Sequence, residues 1–230
     1  MPTVLITGAN RGLGLELARQ YAADGWKVHA ACRDPRSATG LDALARASGG
    51  KVLVHALDLR DPAQVQELGR KLAGESIDVL LNNAGIYPDR GGFGKVDYAA
   101  WEEAFRVNVM APMRLIEALV EPVARSEKRL IVNMSSLMGS IGDNARGGSY
   151  VYRSSKAALN IVTKSLSIDL APRGITAVVL HPGWVKTDMG GPEAPIEAEE
   201  SVRGMRQVIA RLEPGATGKF FDYEGDELPW

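Results

Sequence analysis

Short apolar runs alternate with amphipathic stretches along nearly the whole chain. Thr3–Thr7 (TVLIT) is β-branched and apolar at successive rather than alternate positions, which predicts a strand buried on both faces. Runs of the same kind recur at Lys27–Cys32, Lys51–Leu57, Ile77–Leu81, Arg129–Met134 and Ile175–Leu180, with a last short one at Lys219–Tyr223. The segments between them carry a helical period: Leu13–Ala23, Ser37–Ala47, Pro62–Leu72, Tyr98–Leu119, a helix through Tyr152 to Leu170, and Ile196–Leu212. Strand and helix alternate through short links. That order predicts an α/β fold: one domain over residues 1–230, a doubly wound parallel sheet with helices on both faces.

The links carry the candidate chemistry. The first strand runs into Gly8-Ala9-Asn10-Arg11-Gly12-Leu13-Gly14 and then into a helix. Strand, glycine turn and helix make a phosphate-binding context, because glycines let backbone approach a pyrophosphate and the helix start supplies free amides. Arg33 stands just past the second strand, where this topology faces an adenosine ribose. An arginine there suits a 2′-phosphate, and Arg11 lies within reach of the same group; the plain alternative is two solvated arginines. Asp34 precedes Pro35 and reads as a cap for the next helix. Asp58 ends the third strand, placed either for an adenine amino group or for a turn. Asn82-Asn83-Ala84-Gly85 follows the fourth strand, and its small residues either admit a flat ring or serve as plain turn chemistry. A glycine-rich loop is expected over 88–94.

Asn108 sits inside a long helix among Phe105, Val107, Val109 and Met110, either as a satisfied core amide or at a kink that frees a carbonyl. Ser135 and Ser136 close the fifth strand at the sheet edge where α/β proteins place ligands. Tyr152 and Lys156, four apart, share a helix face. A neighbouring cation lowers a tyrosine pKa from about 10, and such a phenol can exchange a proton with an oxygen near neutrality. Tyr150 has no lysine four residues on, so the spacing selects Tyr152.

Composition narrows the function classes. The 230 residues are 45% hydrophobic and 24% charged, with a formal net charge of -1, so no global field draws the chain to nucleic acid or anionic membrane. Cys32 is the lone cysteine, and the three histidines at 29, 55 and 181 lack metal-ligand spacing, so no metal site is expected. No stretch reads as a membrane span or a signal peptide, and a cytoplasmic location is expected.

Taken together, Thr7-Gly8-x-x-x-Gly12-x-Gly14, Asp58, Asn82-Asn83-Ala84-Gly85, Asn108, Ser136, Tyr152-x-x-x-Lys156 and Pro182-Gly183 resemble the short-chain dehydrogenase/reductase family nearly end to end. Within it the chain looks most like the sniffer and C-factor type of carbonyl reductase, on Thr-Gly-Ala-Asn-Arg-Gly-Leu-Gly from Thr7 and His-Pro-Gly-Trp-Val-Lys-Thr-Asp-Met-Gly-Gly from His181. The resemblance implies a Rossmann-like oxidoreductase using NADP(H), with Arg11 and Arg33 matching the basic positions of NADPH-using members. It implies Tyr152 as general acid or base, Lys156 as the residue that holds the nicotinamide ribose and lowers the Tyr152 pKa, Ser136 as the substrate-oxygen donor, and Asn108 as anchor of a proton-supplying water. The implied cofactor contacts are Gly8, Asn10, Arg11, Gly12, Leu13 and Gly14 at the pyrophosphate turn, Arg33, Asp58 and Leu59 with Asn83, Ala84 and Gly85 toward adenosine, and Pro182, Gly183, Val185 and Thr187 beside the nicotinamide. The implied substrate is a small apolar or aromatic carbonyl or alcohol, met by Tyr87, Leu137, Met138, Trp184 and Met189. The family's usual helix face predicts a homodimer or homotetramer. An NADP-binding signalling or scaffold protein with vestigial catalysis, or a dehydrogenase dedicated to one metabolite, is the alternative.

Overall fold

The computed structural model describes residues 1–89 and 91–230; Arg90, within the loop expected over 88–94, lies outside the described residues. One parallel sheet carries seven strands: β1 (Thr3–Thr7), β2 (Lys27–Cys32), β3 (Val52–Ala56), β4 (Val79–Asn82), β5 (Leu130–Met134), β6 (Thr176–His181) and β7 (Phe220–Asp222). Their order is β3-β2-β1-β4-β5-β6-β7. The connecting helices are α1 (Gly12–Ala23), α2 (Thr39–Ala47), α3 (Pro62–Lys71), α4 (Tyr98–Phe105), α5 (Ala111–Ala124), α6 (Tyr150–Asp169) and α7 (Ala198–Arg211).

Successive residues of the central strands serve opposite faces, which is why the strands read as unbroken apolar runs. Val4, Ile6, Val79 and Leu81 pack with Leu17, Leu41, Val202 and Met205, under α1, α2 and α7. Leu5, Leu80 and Ile131 pack with Val65, Leu68, Leu115 and Leu166, under α3, α5 and α6. The expected doubly wound sheet with helices on both faces is therefore present. Strand order reverses between β1 and its neighbours β2 and β4, and a ligand crevice opens at the carboxyl ends of such strands.

Most element boundaries shift by a residue or two from the sequence pattern, and two of the differences bear on the architecture. Strand β4 begins at Val79 instead of Ile77, because the Asp78 carboxylate turns back to accept the Thr3 amide (2.8 Å) and ties β4 to the start of β1. The helix expected over Tyr98–Leu119 runs to Ala124, but a π-helical turn at Arg106–Met110 divides it. Among the described residues no helix is long and apolar enough to cross a membrane.

Pairing of β2 with β3 brings together two histidines that looked scattered. His29 Nδ1 and His55 Nε2 share a hydrogen bond of 2.9 Å inside the fold. Burial lowers both pKa values to about 4, and it does the same to His181. The unfolded chain takes up these protons near pH 6.5, well before the folded chain does, so stability falls as pH drops through that interval. The thermal unfolding midpoint is expected to hold steady from pH 8 to about 6.5 and to fall continuously toward pH 5. Calorimetry across that range checks it, and a midpoint unchanged down to pH 5 would contradict it.

Candidate active site

The crevice at the β1–β4 edge has a volume of about 800 Å³ and runs from Arg33 and Asp58 at one end to Tyr152 and Lys156 at the other. Gly8, Asn10, Arg11, Gly12, Leu13 and Gly14 border it, as do Leu59, Asn83, Ala84, Gly85, Pro182 and Thr187. Gly12 has φ +52°, a left-handed conformation in which a side chain would be strained. No side chain caps the first turn of α1, so its amides remain open toward an anion. Gly14 has a different reason to be glycine. A Cβ there would lie 2.1 Å from the Gly8 carbonyl oxygen and 2.7 Å from Asn83 Nδ2, so its bareness lets α1 seat against the strand ends. Asn83 Nδ2 in turn donates to the Thr7 carbonyl (2.8 Å), and the Ala84 amide donates to Thr7 Oγ1 (3.0 Å).

At the outer end the structure redistributes the charged residues. Arg33 is exposed on the crevice wall, and the Asp58 carboxyl is held below the usual range by Arg60 first, with a smaller share from the Arg33 charge. Asp34, on the same wall, caps the short turn Pro35–Ser37, accepting from the Arg36 amide (3.1 Å). Asp58 meets a partner that its sequence position did not reveal: Arg60 Nη2 and Nε donate to its carboxylate at 2.6 and 2.9 Å. Its side chain is thus engaged by a guanidinium while still lining the crevice. Arg11 also has an acidic partner in the crevice wall. It forms an ion pair with Asp188, which reaches across from the segment after β6.

Of the residues after β6, Pro182 and Thr187 border the crevice, while Gly183 and Val185 do not. Gly183 sits against Ile196 and Tyr223, where a Cβ would come within 2.6 Å of Ile196 Cδ1. Val185 is buried and bridges to Ile196. Both hold the segment in shape from beneath. Thr187 Oγ1 accepts from the Gly190 amide (3.1 Å), and Lys186, Asp188 and Met189 join the crevice wall, none of which stood out as binding residues in the sequence except Met189 as a substrate wall. Trp184 is largely exposed, with Nε1 donating to the Gly190 carbonyl (2.8 Å).

The inner end gathers residues from four elements. Tyr152 lies in the first turn of α6, buried, with Tyr150 exposed beside it. The loop residues 141–147 before α6 are exposed. Ser136 follows β5 and hydrogen-bonds Tyr152. Ser135 points the other way, donating to Asn160 Oδ1 (2.7 Å), which leaves Ser136 as the serine of the site. Lys156 Nζ donates to the Met134 carbonyl (2.8 Å) and stands 5.7 Å from the Tyr152 ring centre. Asn108 is a fully engaged core amide: Oδ1 accepts from the Ile86 amide (2.8 Å), and Nδ2 donates to the Ile86 carbonyl (2.9 Å) and to Ser155 Oγ (3.0 Å). It also lies within the π-helical turn at Arg106–Met110.

Protonation runs against the simplest expectation from Tyr152 and Lys156. Burial pushes the Tyr152 hydroxyl up to about 12, while the Ser136 hydrogen bond pulls it down. Burial also lowers Lys156 to about 8. The same low-dielectric surroundings disfavour the phenolate and the ammonium alike. The result is a phenol that keeps its proton at neutral pH and can give it to an oxygen. Among the described residues no cluster of three or more His, Cys, Asp or Glu is arranged to hold a metal ion.

A family model for short chain dehydrogenase matches residues 2–197. The chain belongs to the short-chain dehydrogenase family. It is 47% identical over 154 residues to the C-signal protein of Myxococcus xanthus, covering 67% of this chain and 93% of that protein. The solved structure of carbonyl reductase Sniffer of D. melanogaster superposes with a TM-score of 0.94 at 36% identity, covering 100% of both chains. The NADPH-bound carbonyl reductase from chicken fatty liver superposes with a TM-score of 0.91 at 34% identity, covering 100% of this chain and 99% of that one. The class of the protein is thus oxidoreductase, on the Rossmann-like fold described above.

The contact at Gly14 gives a direct test of how the site is braced. Gly14→Ala is expected to lower unfolding stability by about 2–3 kcal/mol, because backbone rather than a flexible side chain meets the new methyl. Gly74→Ala, in open space, should stay within about 0.5 kcal/mol of the parent. Urea unfolding of the two variants measures both.

Proposed function

We propose that this chain is an NADP(H)-dependent carbonyl reductase that uses Tyr152 as its general acid and base. The observation that carries the reading is one crevice with an uncapped, glycine-rich helix start in its middle and a hydrogen-bonded Tyr152–Ser136 pair beside Lys156 at its inner end. When bound, the dinucleotide supplies the hydride that reaches the carbonyl carbon.

The protein's own residues do the rest. Ser136 donates to the substrate oxygen and stabilises charge as it develops. Tyr152 delivers its proton to that oxygen, and in the reverse direction takes it back. Lys156 lies close enough to shuttle a proton to the phenol and to hold a ribose hydroxyl. Asn108 commits its side chain to Ile86 and Ser155, which leaves its main-chain carbonyl to hold a water for proton resupply. Arg33 meets the 2′-phosphate, with Arg11 beside it once released from Asp188. Asp58 supports the adenosine end through Arg60. The reading is supported by the NADPH carried by the chicken carbonyl reductase. The substrate is a small apolar or aromatic carbonyl or alcohol. A homodimer or homotetramer would form through α4 and α6, whose Tyr98, Ile161 and Ile168 are exposed.

Tyr152→Phe is expected to bind NADPH like the parent and to lose at least about a hundredfold in kcat on quinones and α-diketones. Fluorescence titration of NADPH and steady-state assays measure the two halves. Unchanged turnover would remove Tyr152 from the chemistry, and an inactive parent across that panel would favour a binding or signalling protein. For the coenzyme, Arg33→Glu should weaken NADPH binding by about tenfold to a hundredfold and NADH binding far less. Equal losses for the two coenzymes would take Arg33 out of the 2′-phosphate site.

A further inference from the structure

Beyond β4, the chain places an aromatic residue directly against the reacting phenol. The Tyr87 and Tyr152 rings stack with centres 4.2 Å apart and planes within 14°. Tyr87 is half-buried and shares a 2.7 Å hydrogen bond from its hydroxyl to Ser149 Oγ. Ser149 itself is held in the left-handed region at φ +46°, a conformation unusual for a serine, immediately before α6. At the other end of the ring, Asn108 grips both the amide and the carbonyl of the preceding residue, Ile86. Tyr87 is therefore fixed at its base by Asn108 and at its tip by Ser149.

We propose that Tyr87 is a positioning residue for carbonyl reduction: its ring covers one face of the Tyr152 phenol, keeps water from that face, and leaves the substrate to approach from the Ser136 side. The inference rests on the assignment of Tyr152 as the acid and deepens it by naming what sets the phenol's orientation and access. Tyr152 is only 7% exposed, and the Tyr87 ring is part of what covers it. Lys156 on α6 and Tyr87 are the titratable groups facing the phenol from the elements against it, with Ser136 as its hydrogen-bond partner. Both burial and the nearness of Tyr87 favour the protonated phenol. Removing the ring lets water in, and the phenol then loses its proton at lower pH.

The test compares Tyr87→Phe, Tyr87→Leu and Tyr87→Ala, with Tyr152→Phe alongside, in reduction of a small aliphatic α-diketone from pH 7 to about pH 12, the range that reaches the phenol's alkaline limb. Tyr87→Phe keeps the stack and is expected to stay within about threefold of the parent in kcat, with the same pH profile. Tyr87→Leu and Tyr87→Ala should lose about tenfold in kcat with little change in KM, and their alkaline limb should move down by about one pH unit. Leucine fills much of the same space without a flat ring, so it separates loss of the stack from loss of packing. If Tyr152→Phe is inactive while the Leu and Ala variants follow the parent profile, or are matched by Tyr87→Phe, the positioning role is overturned. If Tyr152→Phe retains turnover, the assignment beneath it fails instead.

Discussion

Side-chain hydrogen bonds at the carboxyl ends of the strands hold this site together. Asn83 ties the end of β4 to the end of β1, and Asn82 donates to Asn133 Oδ1 (2.8 Å) between β4 and β5. Asn133 passes the chain on to Thr163 of α6 (2.9 Å), and Ser135 reaches Asn160 on the same helix. A buried amide is costly unless every donor and acceptor is used, and once satisfied it allows little movement. These links fix α6, and with it Tyr152 and Lys156, relative to the strand ends that form the crevice. Asn108 extends the same scheme to the segment after β4, since it holds Ile86 at both backbone groups.

Burial then decides what the fixed groups can do. Tyr152 and Lys156 lie in surroundings that oppose charge on either, so the phenol holds its proton and the amine gives its own up more readily. Ser136 is the counterweight, because its hydrogen bond favours the ionised phenol. A proton donor for a carbonyl needs a proton to give and a partner that tolerates its loss. Burial provides the first and Ser136 the second.

Local pattern made much of this legible. The alternation of strand and helix follows from runs of three to six residues and from helix-length periods, so the parallel sheet could be read directly, and β1 and β2 fell at their observed bounds. The choice of Tyr152 over Tyr150 needed only helix spacing. The π-helical turn at Asn108 was foreseeable as a kink because a polar amide stood among apolar neighbours. The Asp58–Arg60 pair was missed even though the residues are two apart, since a turn geometry, not a periodic one, aims them at each other.

The amino-acid sequence by itself determined the element order, the glycine turn, the small residues at the strand ends and the one-turn spacing of Tyr152 and Lys156. Each depends on backbone sterics or on a repeat shorter than a single helix. Tertiary structure decided which groups meet: Arg11 with Asp188, His29 with His55, Tyr87 with Tyr152. It also decided which proton each group keeps. Such contacts join residues dozens to well over a hundred positions apart, and both partner and dielectric are set only when the strands take their order in the sheet.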